Sequence, residues 1–194
     1  MSIGVRMEKL AHKIQEQCAH INEKSTEKFL RALLGARRIF IHGVGRSGMV
    51  ARAFAMRLMH LGFDVYVVGE TITPAIRKGD LFIAVSGSGK TSSVNVVARV
   101  AEQKKAFVVA VTSNQNSELA RCADLAVQIK GRAPRSLSPD YDARQLVGEH
   151  EPLTPLGTLF ELTTMVFFDA VIDELMLRRN KGENEMREKH TDLE

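Results

Sequence analysis

The sequence predicts an α/β fold in which a five-stranded parallel sheet is flanked by helices. Three observations lead there. Five short apolar runs recur between residues 38 and 129, each of strand length. They alternate with stretches of helical spacing rather than with tight hairpin turns. The runs are also apolar throughout, the pattern of strands covered on both faces.

The elements follow in order. Residues 6–34 carry helical spacing, with Leu10, Ile14, Ile21, Phe29 and Leu33 among the apolar positions, and Gly35 as a stop. Arg38–His42 (RIFIH) is the first strand, followed by glycines and a helix over 47–61 that Gly62 closes. Asp64–Val68 (DVYVV) is the second strand and Leu81–Val85 the third, with a helix over 91–104 after it. Ala106–Val111 is the fourth, followed by a helix near 117–122, and Leu125–Ile129 (LAVQI) is the fifth. Residues 130–153 hold three prolines, two glycines and mixed charges, and read as a long loop of the kind that is often functional. Thr154 then caps a helix with Pro155 at its first position, running to about 179. The tail, 180–194, is highly charged.

Composition bounds the function. A chain of 194 residues suits one domain, here 1–194, with its own core. Apolar residues make up 44% and aromatics 6%, with no Trp, as in a soluble globular protein. No apolar run approaches the roughly 18–20 residues of a membrane span, and the N-terminus lacks the pattern of a signal peptide. Cys18 and Cys122 stand in unrelated contexts, which argues against a disulfide framework or a cysteine zinc site. These features place the protein in the cytoplasm. The net charge of +4 comes from basic residues scattered among acids, not from the clustered face that nucleic acid requires.

Two glycine-rich loops carry the chemistry. Gly43-Val44-Gly45-Arg46-Ser47-Gly48 follows the first strand and opens a helix. It fits the dinucleotide fingerprint G-x-G-x-x-G, with Glu70 as a ribose-binding acid. Arg46 and Ser47 suit a compact anionic ligand equally well, and a ligand-free turn is the bland alternative. The second loop, Ser86-Gly87-Ser88-Gly89-Lys90-Thr91, resembles the end of a P-loop. The count fails: G-x-x-x-x-G-K-[ST] requires glycine at 84, which is alanine. No strand ends in a magnesium-binding acid either. What remains is a phosphate cradle. Ser86, Ser88 and Thr91 offer hydroxyls, and Gly87 and Gly89 let backbone N–H groups approach an anion. The following helix presents its positive end, and Lys90 either adds charge or points to solvent. Both loops leave the carboxyl ends of neighbouring strands, where ligands of open α/β sheets bind.

Between Pro152 and Phe168 the one ionisable side chain is Glu161. Three residues after Thr154 stands Gly157, so Glu161 is not a capping-box acid. A carboxyl group in apolar surroundings is costly unless paired, and desolvation is one way to make it a base near neutral pH. The alternative is a buried ion pair with Arg46, Arg57 or another base. Of six histidines, His42 adjoins the first glycine loop, His150 sits in the long loop and His190 lies in the tail. His12, His20 and His60 read as helix residues. None shows metal-ligand spacing.

These residues resemble the SIS (sugar isomerase) domain family and, within it, the 6-phospho-3-hexuloisomerase branch. The marks are FIHGVGRSGMVARAFAMRLMHLGFDVYVVGETITP (40–74), DLFIAVSGSGKTSS (80–93), TPLGTLFE (154–161) and the Lys189-His190 pair. The resemblance covers nearly the whole chain. It implies a three-layer sandwich assembled as a homotetramer, a dimer of dimers. It implies interconversion of D-arabino-3-hexulose 6-phosphate and D-fructose 6-phosphate. That reaction follows 3-hexulose-6-phosphate synthase in the ribulose monophosphate pathway of formaldehyde fixation. The family's phosphate contacts fall on Ser86, Ser88 and Thr91, a sugar contact on Ser47 and its glutamate base on Glu161. His190 matches a histidine that reaches an active site, in one subunit or across a boundary. The loop 130–153 is larger than the family pattern.

The chemistry agrees. Moving a ketone from C3 to C2 removes the C2 proton and returns one to C3 through a 2,3-enediolate. One carboxylate can carry that proton, with no metal or nucleotide. Developing negative charge calls for aimed donors, from the Gly45 loop, Arg46 or a histidine. Other readings remain open: another phosphosugar aldose–ketose isomerase, a phosphosugar-sensing regulator, or a dinucleotide-dependent oxidoreductase. The stretch 40–74 argues against the first. Only about 37 residues precede the first strand, too few for a regulator's DNA-binding domain as well as an entry helix.

Overall fold

The structure is a computed structural model that describes residues 2–131, 158–182 and 186. The chain runs α1 (Ile3–Cys18), α2 (Glu23–Gly35), β1 (Ile39–Gly43), α3 (Gly45–His60), β2 (Val65–Val67) and β3 (Leu81–Val85). Then follow α4 (Ser92–Gln103), β4 (Phe107–Thr112), α5 (Glu118–Cys122), β5 (Leu125–Gln128) and α6 (Thr158–Arg179). Thr154, Pro155, His150, His190 and nearly all of the loop 130–153 lie outside the described residues.

The single entry helix expected over 6–34 is two helices. The break comes at Asn22, whose side chain accepts the Ser25 N–H at 3.1 Å and whose carbonyl accepts the Ser25 and Thr26 hydroxyls at 2.9 and 3.1 Å. An asparagine with this geometry starts a helix rather than continuing one. Helix α1 then lies against α6 with no buried residue of its own.

All five strands pair in parallel, in the order β2-β1-β3-β4-β5. The order reverses between β1 and β3, which makes the crevice above their carboxyl ends the topological switch point. Gly43 pairs with Val85 at the ends of these two strands, so both glycine loops leave the sheet side by side.

The period of two along each strand sorts side chains into two cores. Ile39, Ile41, Leu81, Ile83, Val85, Val109 and Val111 face α2, α3 and α6. Phe40, Phe82, Ala84, Val108 and Ala110 face α4 and α5. This is why the strands read as unbroken apolar runs. The opposite, amino end of the sheet is fastened by Asp80, whose carboxylate is fully buried. Arg38 donates to both its oxygens, at 3.1 and 2.6 Å, Arg37 donates at 3.1 Å, and the Arg77 N–H at 2.8 Å.

Helices α3 and α6 run side by side in the same direction from the crevice. Arg46 meets Glu161, Phe54 meets Phe168, and Arg179 reaches the Leu61 carbonyl at 2.8 Å.

Candidate active site

The first loop folds as a tight strand-to-helix turn. Gly45 sits at φ +60, a left-handed conformation that favours glycine. Helix α3 then starts at Val44 without any side-chain cap. Arg46 and Ser47 stand in its first turn, Arg46 exposed and Ser47 half-buried.

The second loop is pre-organised by its own hydroxyls. Ser86 Oγ and Thr91 Oγ1 are 3.0 Å apart, and Ser86 Oγ accepts the Gly89 N–H at 3.2 Å. Ser88 Oγ accepts the Lys90 N–H at 3.2 Å. Gly89 has φ +63, and a Cβ there would collide with the Ser117 hydroxyl. Ser86 is buried, Ser88 and Thr91 are partly open, and Lys90 is exposed.

Thr91 is the N-cap residue of α4, yet its hydroxyl makes no cap bond and turns to Ser86 instead. Helices α1, α2 and α5 begin with side-chain caps from Ser2, Asn22 and Ser117. The two helices that open into the crevice, α3 and α4, do not. Their first-turn N–H groups and the positive ends of their dipoles are thus left for an anion.

Glu161 is drawn into this crevice by α6. Its carboxylate is 11% exposed, and the Arg46 Nε donates to Oε2 at 2.6 Å. The pairing weighed in the sequence is present, and with Arg46 rather than Arg57. The residue before it, Phe160, packs so closely on the second loop that a Cβ on Gly87 would come within 2.8 Å of its ring. Gly131, after β5, is pressed against the Phe160 backbone in the same way. Glu161 is therefore held between both loops: by charge to the first, and through Phe160 to the second. The sequence reading overlooked Phe160; its signal was Gly87 and Gly131, neither of which needs a positive φ and both of which leave room for it.

His42 lies half-buried at the carboxyl end of β1. Burial pushes its imidazole below the usual histidine range, a Val68 backbone hydrogen bond opposes this, and the charge of Arg52 adds to the lowering. Glu70, the acid a dinucleotide would need, is paired with Arg52 at 2.8 Å. Among the described residues no group of three or more His, Cys, Asp or Glu side chains could hold a metal ion. His190 lies outside them.

Comparison with known proteins decides the family. The model of the SIS domain matches residues 32–144, which takes in both glycine loops. The chain belongs to the SIS domain family. The resemblance to the hexuloisomerase branch also holds. This SIS protein is 36% identical over 185 residues to the 3-hexulose-6-phosphate isomerase of Bacillus subtilis, covering 95% of each chain. It is 39% identical over 167 residues to the 3-hexulose-6-phosphate isomerase of Methanocaldococcus jannaschii, covering 86% of this chain and 83% of that one. Among solved structures, a hypothetical protein of Methanococcus jannaschii matches with a TM-score of 0.82 at 34% identity, over 97% of this chain and 98% of that one. The function inferred for that protein is 3-hexulose-6-phosphate isomerase.

Proposed function

We propose that this SIS protein is a ketose-phosphate isomerase that interconverts D-arabino-3-hexulose 6-phosphate and D-fructose 6-phosphate. The observation that carries the proposal is Glu161: a nearly buried carboxylate at the switch point, held between a turn bearing Arg46 and a loop built of hydroxyls and glycines. The isomerase names of relatives at 36–39% identity support the same reading.

The residues divide the work. Ser86, Ser88 and Thr91, with the N–H groups at the start of α4, hold the phosphate, and Gly87 and Gly89 allow the close approach. Lys90 adds positive charge at the mouth. Gly45 and Ser47 contact the sugar. This remote binding positions the reacting carbons. Glu161 takes the proton from C2, leaving a 2,3-enediolate, and delivers a proton to C3 on the same face. Arg46, already bonded to Glu161, orients it and donates to oxygen as negative charge develops there. His190 moves protons between the two oxygens. No metal or nucleotide takes part.

The whole chain acts as one SIS domain in the cytoplasm, downstream of 3-hexulose-6-phosphate synthase in formaldehyde fixation. It assembles as a dimer of dimers. The exposed apolar faces support this: Ile3 and Met7 on α1 are 72% and 64% exposed, and Met49 on α3 is 67% exposed. A mass near four times 21.5 kDa in light scattering is expected.

A coupled assay tests the reaction. Synthase converts ribulose 5-phosphate and formaldehyde into the 3-hexulose 6-phosphate, this protein is added, and fructose 6-phosphate is followed. Its formation in proportion to added protein is expected. No product from folded protein beside an active synthase would overturn the assignment.

A further inference from the structure

The carbonyl of Gly87, in the middle of the second loop, is gathered in by three donors from the end of β4. The Ser113 N–H donates to it at 3.1 Å, the Ser113 hydroxyl at 2.5 Å and the Thr112 hydroxyl at 3.4 Å. The Gly89 carbonyl is held as well, accepting the Leu119 N–H at 3.1 Å and Asn95 Nδ2 at 3.5 Å. Thr112 and Asn95 are fully buried polar residues, which a core keeps only when they bond to something.

A carbonyl oxygen has two lone pairs, so three donors on one oxygen fix its direction firmly. In a trans peptide the C=O and the following N–H point opposite ways, and there is no cis peptide bond among the described residues. Holding the Gly87 carbonyl toward β4 therefore turns the Ser88 N–H away from β4. In the order β1-β3-β4, away from β4 is toward β1 and the first glycine loop, which is the crevice. Among the described residues no backbone group accepts the Ser88 N–H.

We propose that Thr112 and Ser113 are positioning residues of the second loop, holding the Gly87 peptide so that the Ser88 N–H faces the crevice as a donor to phosphate. The proposal rests on the phosphate reading of that loop. Neither residue touches the substrate; both act through the peptide they orient. Ser113 supplies two of the three donors, its N–H and its hydroxyl, and Thr112 supplies one.

The test uses Ser113→Ala, Thr112→Val and the double variant, with Ser113→Thr and Thr112→Ser to restore the hydroxyls. Inorganic phosphate is the probe, titrated as an inhibitor and followed at the Ser88 amide by NMR of 15N-labelled protein. In the wild type the Ser88 amide moves on phosphate addition. In the double variant the inhibition constant and the KM rise about tenfold while kcat stays within about twofold, as expected for lost hydrogen bonds to one carbonyl. The Ser88 shift is lost, and the hydroxyl-keeping variants recover it. If Thr112→Val does not fold, Ser113→Ala decides, with an expected rise of about threefold. Unchanged phosphate inhibition in Ser113→Ala, or a Ser88 amide that stays still in the wild type while Thr91 and Ser92 move, would overturn the proposal and leave the phosphate loop standing. Wild-type amides that all stay still across 86–92 would remove the phosphate reading, and this proposal with it.

Discussion

Phe54 of α3 stacks on Phe168 of α6, with ring centroids 4.0 Å apart and planes 6° from parallel. The same two helices carry Arg46 and Glu161. The stack lies about two turns further along each helix from that ion pair, and both rings are almost fully buried. The candidate base is thus held not only by the guanidinium it touches but by an aromatic clasp that fixes one helix on the other.

Replacing Phe168 with Ala tests this clasp. Loss of a buried Phe costs about 3–5 kcal/mol through lost transfer energy and the cavity left behind. Urea denaturation should show that loss. Because α6 can then shift on α3, kcat should fall more than KM rises. Full stability and full kcat in this variant would remove the clasp from the account.

At the phosphate loop, Ser86→Ala removes the hydroxyl that accepts the Gly89 N–H and meets Thr91. The expected result is a rise in KM for the phosphorylated substrate of about tenfold, with a smaller change in kcat. Steady-state kinetics with fructose 6-phosphate measures it, and unchanged KM would take Ser86 out of the site.

Much of this was legible in the sequence, for physical reasons that differ by element. Strand β3 has the same bounds in sequence and structure because all its residues are buried and nothing polar interrupts the run. Glu161 stood out as a lone charge in an apolar stretch, and burial is what makes such a residue conspicuous. Its partner did not stand out: Arg46 and Arg57 both lie on α3, and only the parallel packing of α3 on α6 selects Arg46. The break between α1 and α2 was missed because the apolar spacing continues across it, while the local bonds of Asn22 end the helix. Thr112 and Ser113 lie just past the fourth strand expected over Ala106–Val111 and carry no local signal, since what they hold is a carbonyl about 25 residues earlier in the chain. His190 falls outside the described residues, so its matching to the family rests on sequence.

Acid should weaken the fold at two places remote from the crevice. Glu27 on α2 is hydrogen-bonded by Arg178 and Arg31, which hold its carboxyl down from 4.5 to about 2. Burial pushes the Asp80 carboxyl up, but the bonds from Arg38, the Arg77 N–H and Arg37 outweigh it and leave its pKa below 3.8. Both groups have a folded pKa below the unfolded one. Their stabilisation is therefore complete above the unfolded values and is lost as pH falls through the folded ones, which for Glu27 means a loss between about 4.5 and about 2. Urea midpoints measured from pH 7 to 2 should stay level and then drop through that window. In Asp80→Asn the protein should lose about 3 kcal/mol at pH 7, because two guanidinium groups lose their buried partner. The KM should not move, since Asp80 lies at the far end of the sheet. A KM shift in a fully folded variant would contradict that separation of roles.

The central claim is that Glu161 carries the proton. Glu161→Gln keeps the shape and removes the base, so the direct measurement is its kcat, with solvent-deuterium exchange at C3 of fructose 6-phosphate in the same samples. The account predicts a fall in kcat of about 10²–10⁴, a KM within a few fold of wild type, and loss of the exchange. A folded variant that keeps near wild-type kcat, or still exchanges the C3 hydrogen at the wild-type rate, would contradict it.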